Sequence, residues 1–120
     1  AVSLAELYSV SERWDEIVEL TDGVTNADNA SALLCVFRGQ AFRAQGYPDA
    51  AHESFKEALR ARSRDVGIRH LALMERAANY AAQGKKSMAR KDLEKILATE
   101  AEYPGVRQAI RDLTSESQTV

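Results

Sequence analysis

Residues 31–62 read SALLCVFRGQAFRAQGYPDAAHESFKEALRAR, and their spacing decides the fold. Cys35, Gly39 and Phe42 stand four and three residues apart, which places them on one face of a helix. Ala51, Phe55 and Ala58 repeat that spacing on a second helix. Gln45-Gly46-Tyr47-Pro48 makes the corner between them. Gly46 suits a left-handed helix stop, and Pro48 fits a first helical turn, where its missing N–H costs nothing. The two helices fold back on each other, with Gly39 and Ala51 as the small residues where their axes approach.

The same spacing extends outward. Tyr8 to Ile17, Phe42 to Ala51 and Tyr80 to Ala89 are each nine residues apart. Tyr8 to Phe42 is 34 residues, and Phe42 to Tyr80 is 38. Ala5, Gly39 and Ala77 recur as small residues, and the last unit reads Leu73-x2-Arg76-Ala77-x2-Tyr80, then Ala89-x3-Leu93-x2-Ile96. Caps and stops predict helices over Val2–Val10, Glu12–Leu20 (Ser11 as its cap), Asp28–Gln45, Pro48–Ala61, Val66–Gln83 (Asp65 as its cap), Ser87–Thr99 and Pro104–Leu113. Residues 115–120 read as a frayed tail. The four additional residues in the second interval equal about one helical turn and predict longer helices beside Ser63–Asp65.

This spacing resembles the tetratricopeptide repeat (TPR), whose pattern is W-x2-L-G-x2-Y, then A-x3-F, then P, with a period of 34 residues. Cys35 stands at the Trp, Arg38 at the Leu, Gly39 at the Gly and Phe42 at the Tyr. Ala51 and Phe55 fill A-x3-F, and Ser63 falls at the closing Pro. Leu73 and Arg76 depart from the Trp and Leu in the next unit. The resemblance implies an all-α fold, an antiparallel helix-pair (TPR-like) α-solenoid with a C-terminal capping helix. Residues 1–114 would be one domain, with repeats at about 1–24, 28–62 and 66–100 and the capping helix at 104–113. Such a helix covers the apolar face that an end repeat would otherwise expose.

The resemblance also implies a non-catalytic protein–protein interaction module, cytoplasmic, binding a peptide or helix of a partner in a concave groove. The first helix of each pair lines that groove. Residue by residue, this gives Leu33, Val36, Phe37, Gln40 and Arg43, then Leu71, Met74, Glu75 and Ala78, with Ser3, Glu6 and Ser9 from the first unit. The Lys/Asn/Arg set of the subtype that clamps acidic tails is absent from these positions. A groove this apolar suits a hydrophobic helix or extended segment. The alternative is that these residues are core, closed by the helix at 104–113 or by a second copy, which makes a homo-oligomerisation module.

Other chemistry finds little support. Hydrophobic residues at 45% and charged residues at 28% describe an ordinary globular chain, and a net charge of −2 gives no overall pull toward nucleic acid or anionic lipid. No apolar run approaches the ~20 residues of a bilayer span. The chain starts without Met and reads as an excised domain or processed product. The single cysteine, Cys35, sits at a core position and fits a reducing setting. His52 and His70 read as surface or boundary residues without partners at metal spacing. Gly84-Lys85-Lys86-Ser87 lacks the strand and first Gly of a phosphate loop and reads as a helix stop followed by a helix cap. No catalytic residue, metal ligand or cofactor is indicated. Two basic groups, Arg60/Arg62/Arg64/Arg69 and Lys85/Lys86/Arg90/Lys91/Lys95, keep nucleic acid as a third reading, although neighbouring acids balance them and no aromatic residues are interleaved.

Overall fold

Seven helices follow in chain order: α1 (Val2–Val10), α2 (Trp14–Thr21), α3 (Asn29–Ala44), α4 (Pro48–Leu59), α5 (Val66–Ala82), α6 (Lys86–Thr99) and α7 (Val106–Gln118). They come from a computed structural model that describes residues 1–118, and the described residues are all-helical, without strands. Each helix packs on the next, and α3 also lies beside α1 and α5. Cross-links give the directions. Gln45, just past α3, reaches Asp15 at the start of α2, and Asn26, ahead of α3, bonds Glu57 and Ala58 at the end of α4. Asn79 near the end of α5 donates to the carbonyl of Pro48 at the start of α4, and His70 near the start of α5 meets Thr99 at the end of α6. From α2 to α6, neighbours in sequence therefore run antiparallel.

The corners repeat in space as they do in sequence. Ser11-Glu12-Arg13, Gln45-Gly46-Tyr47 and Gln83-Gly84-Lys85 make the same turn. The N–H groups of Arg13, Tyr47 and Lys85 donate to the carbonyls of Tyr8, Phe42 and Tyr80 at 2.8, 2.8 and 2.9 Å. This six-to-one bond is the Schellman closure, and its central residue must be left-handed. Gly46 and Gly84 take φ of +88° and +77°, while Glu12 takes +56° with a full side chain. Ser11 is thus the C-cap of α1 rather than the cap of α2, which starts at Trp14 without a side-chain cap. Lys86 rather than Ser87 opens α6. Elsewhere the caps match the sequence. Asp28 and Ser31 form a reciprocal capping box, and the Asp65 carboxylate accepts from Gly67 and Ile68 N–H.

The core lies in three clusters along the stack. Ala5, Ile17, Leu34, Phe37 and Ala41 form the first, and Cys35, Val36, Ala51, Phe55, Ala58 and Ala72 the second. The third joins Leu73, Ala77, Tyr80, Ala89, Leu93 and Ile96 to Val106 and Leu113 of α7. At the tightest approach, a Cβ on Gly39 would overlap the ring of Phe55, so the glycine is what allows α3 and α4 to close. The additional turn inferred from the spacing lies in α4, which has 12 residues where α2 has 8. At the C-terminus α7 runs to Gln118, past the frayed tail expected from Ser115, because Ser115-Glu116-Ser117-Gln118 carries neither Gly nor Pro to stop it. Residues 119 and 120 of that expected tail lie outside the described residues.

Candidate functional site

The face shared by α1, α3 and α5 is the surface the groove residues were expected to line. Two of them are core. Phe37 is 7% exposed and packs with Ala5, Ile17 and Leu34, and Val36 is fully buried beside Ala72. The reason is the flanking of α3 by a helix on each side: α1 encloses Phe37 and α5 encloses Val36. Leu33 and Leu71 are half-buried against the first and second clusters.

The polar candidates tie helices together. Ser9 Oγ meets Gln40 Oε1 at 3.4 Å, linking α1 to α3. Arg43 donates to the Glu75 carbonyl at 2.9 Å and to its carboxylate at 2.6 Å, linking α3 to α5. Ser3 and Glu6 are exposed on α1. Of the carried-over residues, Met74 and Ala78 border an open recess. Met74, Ala78, Ala81, Leu93, Ala109 and Leu113 surround about 100 Å³ between α5, α6 and α7. That is well below the ~300 Å³ at which small-molecule pockets begin, and it suits one anchoring aliphatic side chain.

Sequence reasoning missed the residues that organise the opposite edges. Arg38 and Arg76, at the position where the repeat has Leu, reach inward. Arg38 donates to the carbonyls of Thr21 at 2.7 Å and Val24 at 3.0 Å and to Ser54 Oγ at 3.3 Å. Arg76 grips the Asp92 carboxylate with two bonds of 2.9 and 2.8 Å. Those bonds, and the Asp92 charge, raise the Arg76 pKa above the ordinary guanidinium value against the opposing effect of burial. The signal was present: an Arg recurring on an apolar stripe, with Ser54 and Asp92 three residues after Ala51 and Ala89.

Asn26 was read only as part of a polar loop. Buried, it donates from its N–H to Glu57 Oε2 and from Nδ2 to the Glu57 and Ala58 carbonyls. Its Oδ1 accepts from Arg64 at 2.6 Å, and its carbonyl accepts from Arg60. Two arginines of the first basic group are thereby committed to structure. Arg60 bonding, then the Asn26 N–H, holds the Glu57 carboxyl below its ordinary range.

Burial pushes the Cys35 thiol up, against the nearby Arg38 charge, and disfavours the reactive thiolate. His52 is a boundary residue, but His70 is 4% exposed rather than at the surface, because α6 and Tyr103 close over it. Among the described residues no group of three His, Cys, Asp or Glu is placed to hold a metal ion, and no helix is long and apolar enough to cross a membrane. No protein-family model, curated protein or solved structure matches the chain.

Proposed function

We propose that the chain is a helix-pair solenoid of tetratricopeptide type, capped by α7, and that it acts as a non-catalytic protein-interaction module. Three identical corners, antiparallel neighbours and side-by-side packing of α1, α3 and α5 support the solenoid. The observation that carries the function is the apolar recess at Met74 and Ala78. On a face otherwise closed by packing and by the Ser9–Gln40 and Arg43–Glu75 links, it is where one apolar side chain of a partner helix or peptide can anchor. A reducing, cytoplasmic setting for the free Cys35 belongs to the same reading.

Ala78→Arg, at an exposed position on α5, is expected to fill the recess mouth without unfolding the chain. Affinity capture with wild type and variant tests the proposal. Proteins held by the wild type and lost by the variant support the recess, and equal recovery by both overturns it.

A second reading, self-association, is favoured by α1, whose Leu4, Leu7 and Val10 are 40%, 60% and 83% exposed. Large apolar side chains exposed along one helix suit burial against a second copy of the chain. Mass measured by sedimentation should then rise with concentration, and Leu7→Glu should abolish the rise.

A further inference from the structure

A cavity of about 410 Å³ opens between the end of α4, α5 and α6. None of the residues lining it borders the recess at Met74. Arg62, Arg69, Arg76 and Lys95 stand in its wall, over apolar contributions from Leu59, Val66 and Leu73. Asp92 faces two of these cations: Arg76 occupies both of its oxygens, and Lys95 Nζ lies 3.9 Å from Oδ1, while a second carboxylate, Glu100, comes 3.7 Å from His70. Arg69 Nη1 is anchored on the Leu59 and Ala61 carbonyls at 3.1 and 2.9 Å. Both acceptors are uncharged, so the guanidinium is held in place with its charge uncompensated. Four cations against these two carboxylates leave positive charge in excess around the cavity.

His70 closes part of the same wall. His70 lines the cavity almost fully buried, with Nε2 2.6 Å from Thr99 Oγ1. The Thr99 hydroxyl donates to the Ile96 carbonyl, so the proton between His70 and Thr99 belongs to Nε2. Nδ1 is then an acceptor lone pair, 3.7 Å from a Glu100 oxygen, and takes no part in holding an anion.

We propose that this cavity binds a small organic phosphate, a phosphate monoester with a compact apolar body. A doubly charged head answers the excess of cations and matches the planar donor forks of Arg62 and Arg69. The apolar residues answer the body, and the volume lies within the ~300–1,000 Å³ of small-ligand sites.

The whole chain is titrated with phenyl phosphate and with inorganic phosphate, followed by calorimetry and by amide NMR shifts. Saturable binding of phenyl phosphate is expected, weaker for inorganic phosphate, with shifts at Arg69, His70 and Thr99. Arg62→Gln and Lys95→Gln are exposed substitutions compatible with folding, and each should weaken binding about tenfold. Lys95→Arg should retain it. No saturation by about 10 mM phenyl phosphate overturns the proposal, as does binding that neither Gln variant weakens. Equal affinity for inorganic phosphate overturns the organic body. Binding of a single-stranded oligonucleotide with a steep salt dependence, in place of phenyl phosphate, makes the surface a nucleic-acid contact and overturns it too.

Discussion

Arg38 in the α3–α4 pair and Arg76 in the α5–α6 pair occupy the same repeat position and solve the same problem differently. Arg38 bonds neutral groups, the carbonyls of Thr21 and Val24 and the hydroxyl of Ser54. Arg76 holds a carboxylate, Asp92, that is 2% exposed. The difference traces to the length of the preceding helix. Helix α2 ends at Thr21, level with Arg38, so the carbonyls of Thr21 and of Val24 in the following loop are within reach of its guanidinium. Helix α4 runs one turn further, to Leu59, so at the level of Arg76 its carbonyls are used within the helix. The terminal carbonyls are taken instead by Arg69, and Arg76 turns to Asp92. One inserted turn thus converts a helix cap into a buried ion pair and gathers the cations of the cavity.

The largest expected effect breaks the charged half of this comparison. Arg76→Ala leaves Asp92 buried without its partner and should cost about 3–5 kcal/mol. Arg76→Met with Asp92→Leu should recover most of the loss in denaturant melts. A double variant as unstable as the single would show that packing, not charge, matters there.

Arg38→Ala abandons uncharged carbonyls, and a cost of about 1–3 kcal/mol is expected. If it equals the Arg76→Ala cost, the two positions are not distinguished by charge.

A third test uses the close approaches. Gly39 faces Phe55, whereas Ala77 occupies the same position opposite the smaller Leu93. Gly39→Ala should destabilise by about 1–3 kcal/mol through overpacking, despite the better helix propensity of Ala. A neutral result would mean that Phe55 moves freely aside.

The corners give a smaller effect of opposite sign. Glu12 holds the left-handed conformation that Gly46 and Gly84 hold in the other two turns. Glu12→Gly should stabilise by up to about 1 kcal/mol, and the equivalent change at Gly46, Gly46→Ala, should destabilise by a similar amount.

Finally, Asp28 and Glu57 secure the loop between α2 and α3. The Asp28 carboxyl is held low by the Ser31 N–H and hydroxyl, and the Glu57 carboxyl by Arg60 and then the Asn26 N–H. Both are lowered on folding, so their stabilisation is complete above the ordinary carboxylate range and is lost as pH falls through the folded values. The urea midpoint should drop between neutral pH and about pH 3, and Asp28→Asn with Glu57→Gln should shallow that drop. An unchanged drop would place the acid sensitivity elsewhere.

Much of the fold was legible before any coordinates. Gly46, Gly84, Pro48, Asp28 and Asp65 set local conformation through their own backbones and side chains, so helices and corners followed from neighbours in sequence. Glu12 was not legible, because the turn it makes is imposed by the helices on either side against its own preference. The candidate groove was misjudged at Val36 and Phe37 for a related reason. Their spacing says that they are apolar, but enclosure depends on whether α1 and α5 stand close on both sides.

The sequence by itself determined the period, the helix stops and the small residues that let helices meet, since these depend on contacts within a few residues. Only the tertiary structure decided which apolar face is covered, which carbonyls lack partners and which arginine meets a carboxylate. Burial and charge pairing are properties of groups brought together from about 8 to 38 residues apart. Their energies depend on distance and surroundings that spacing along the chain does not specify.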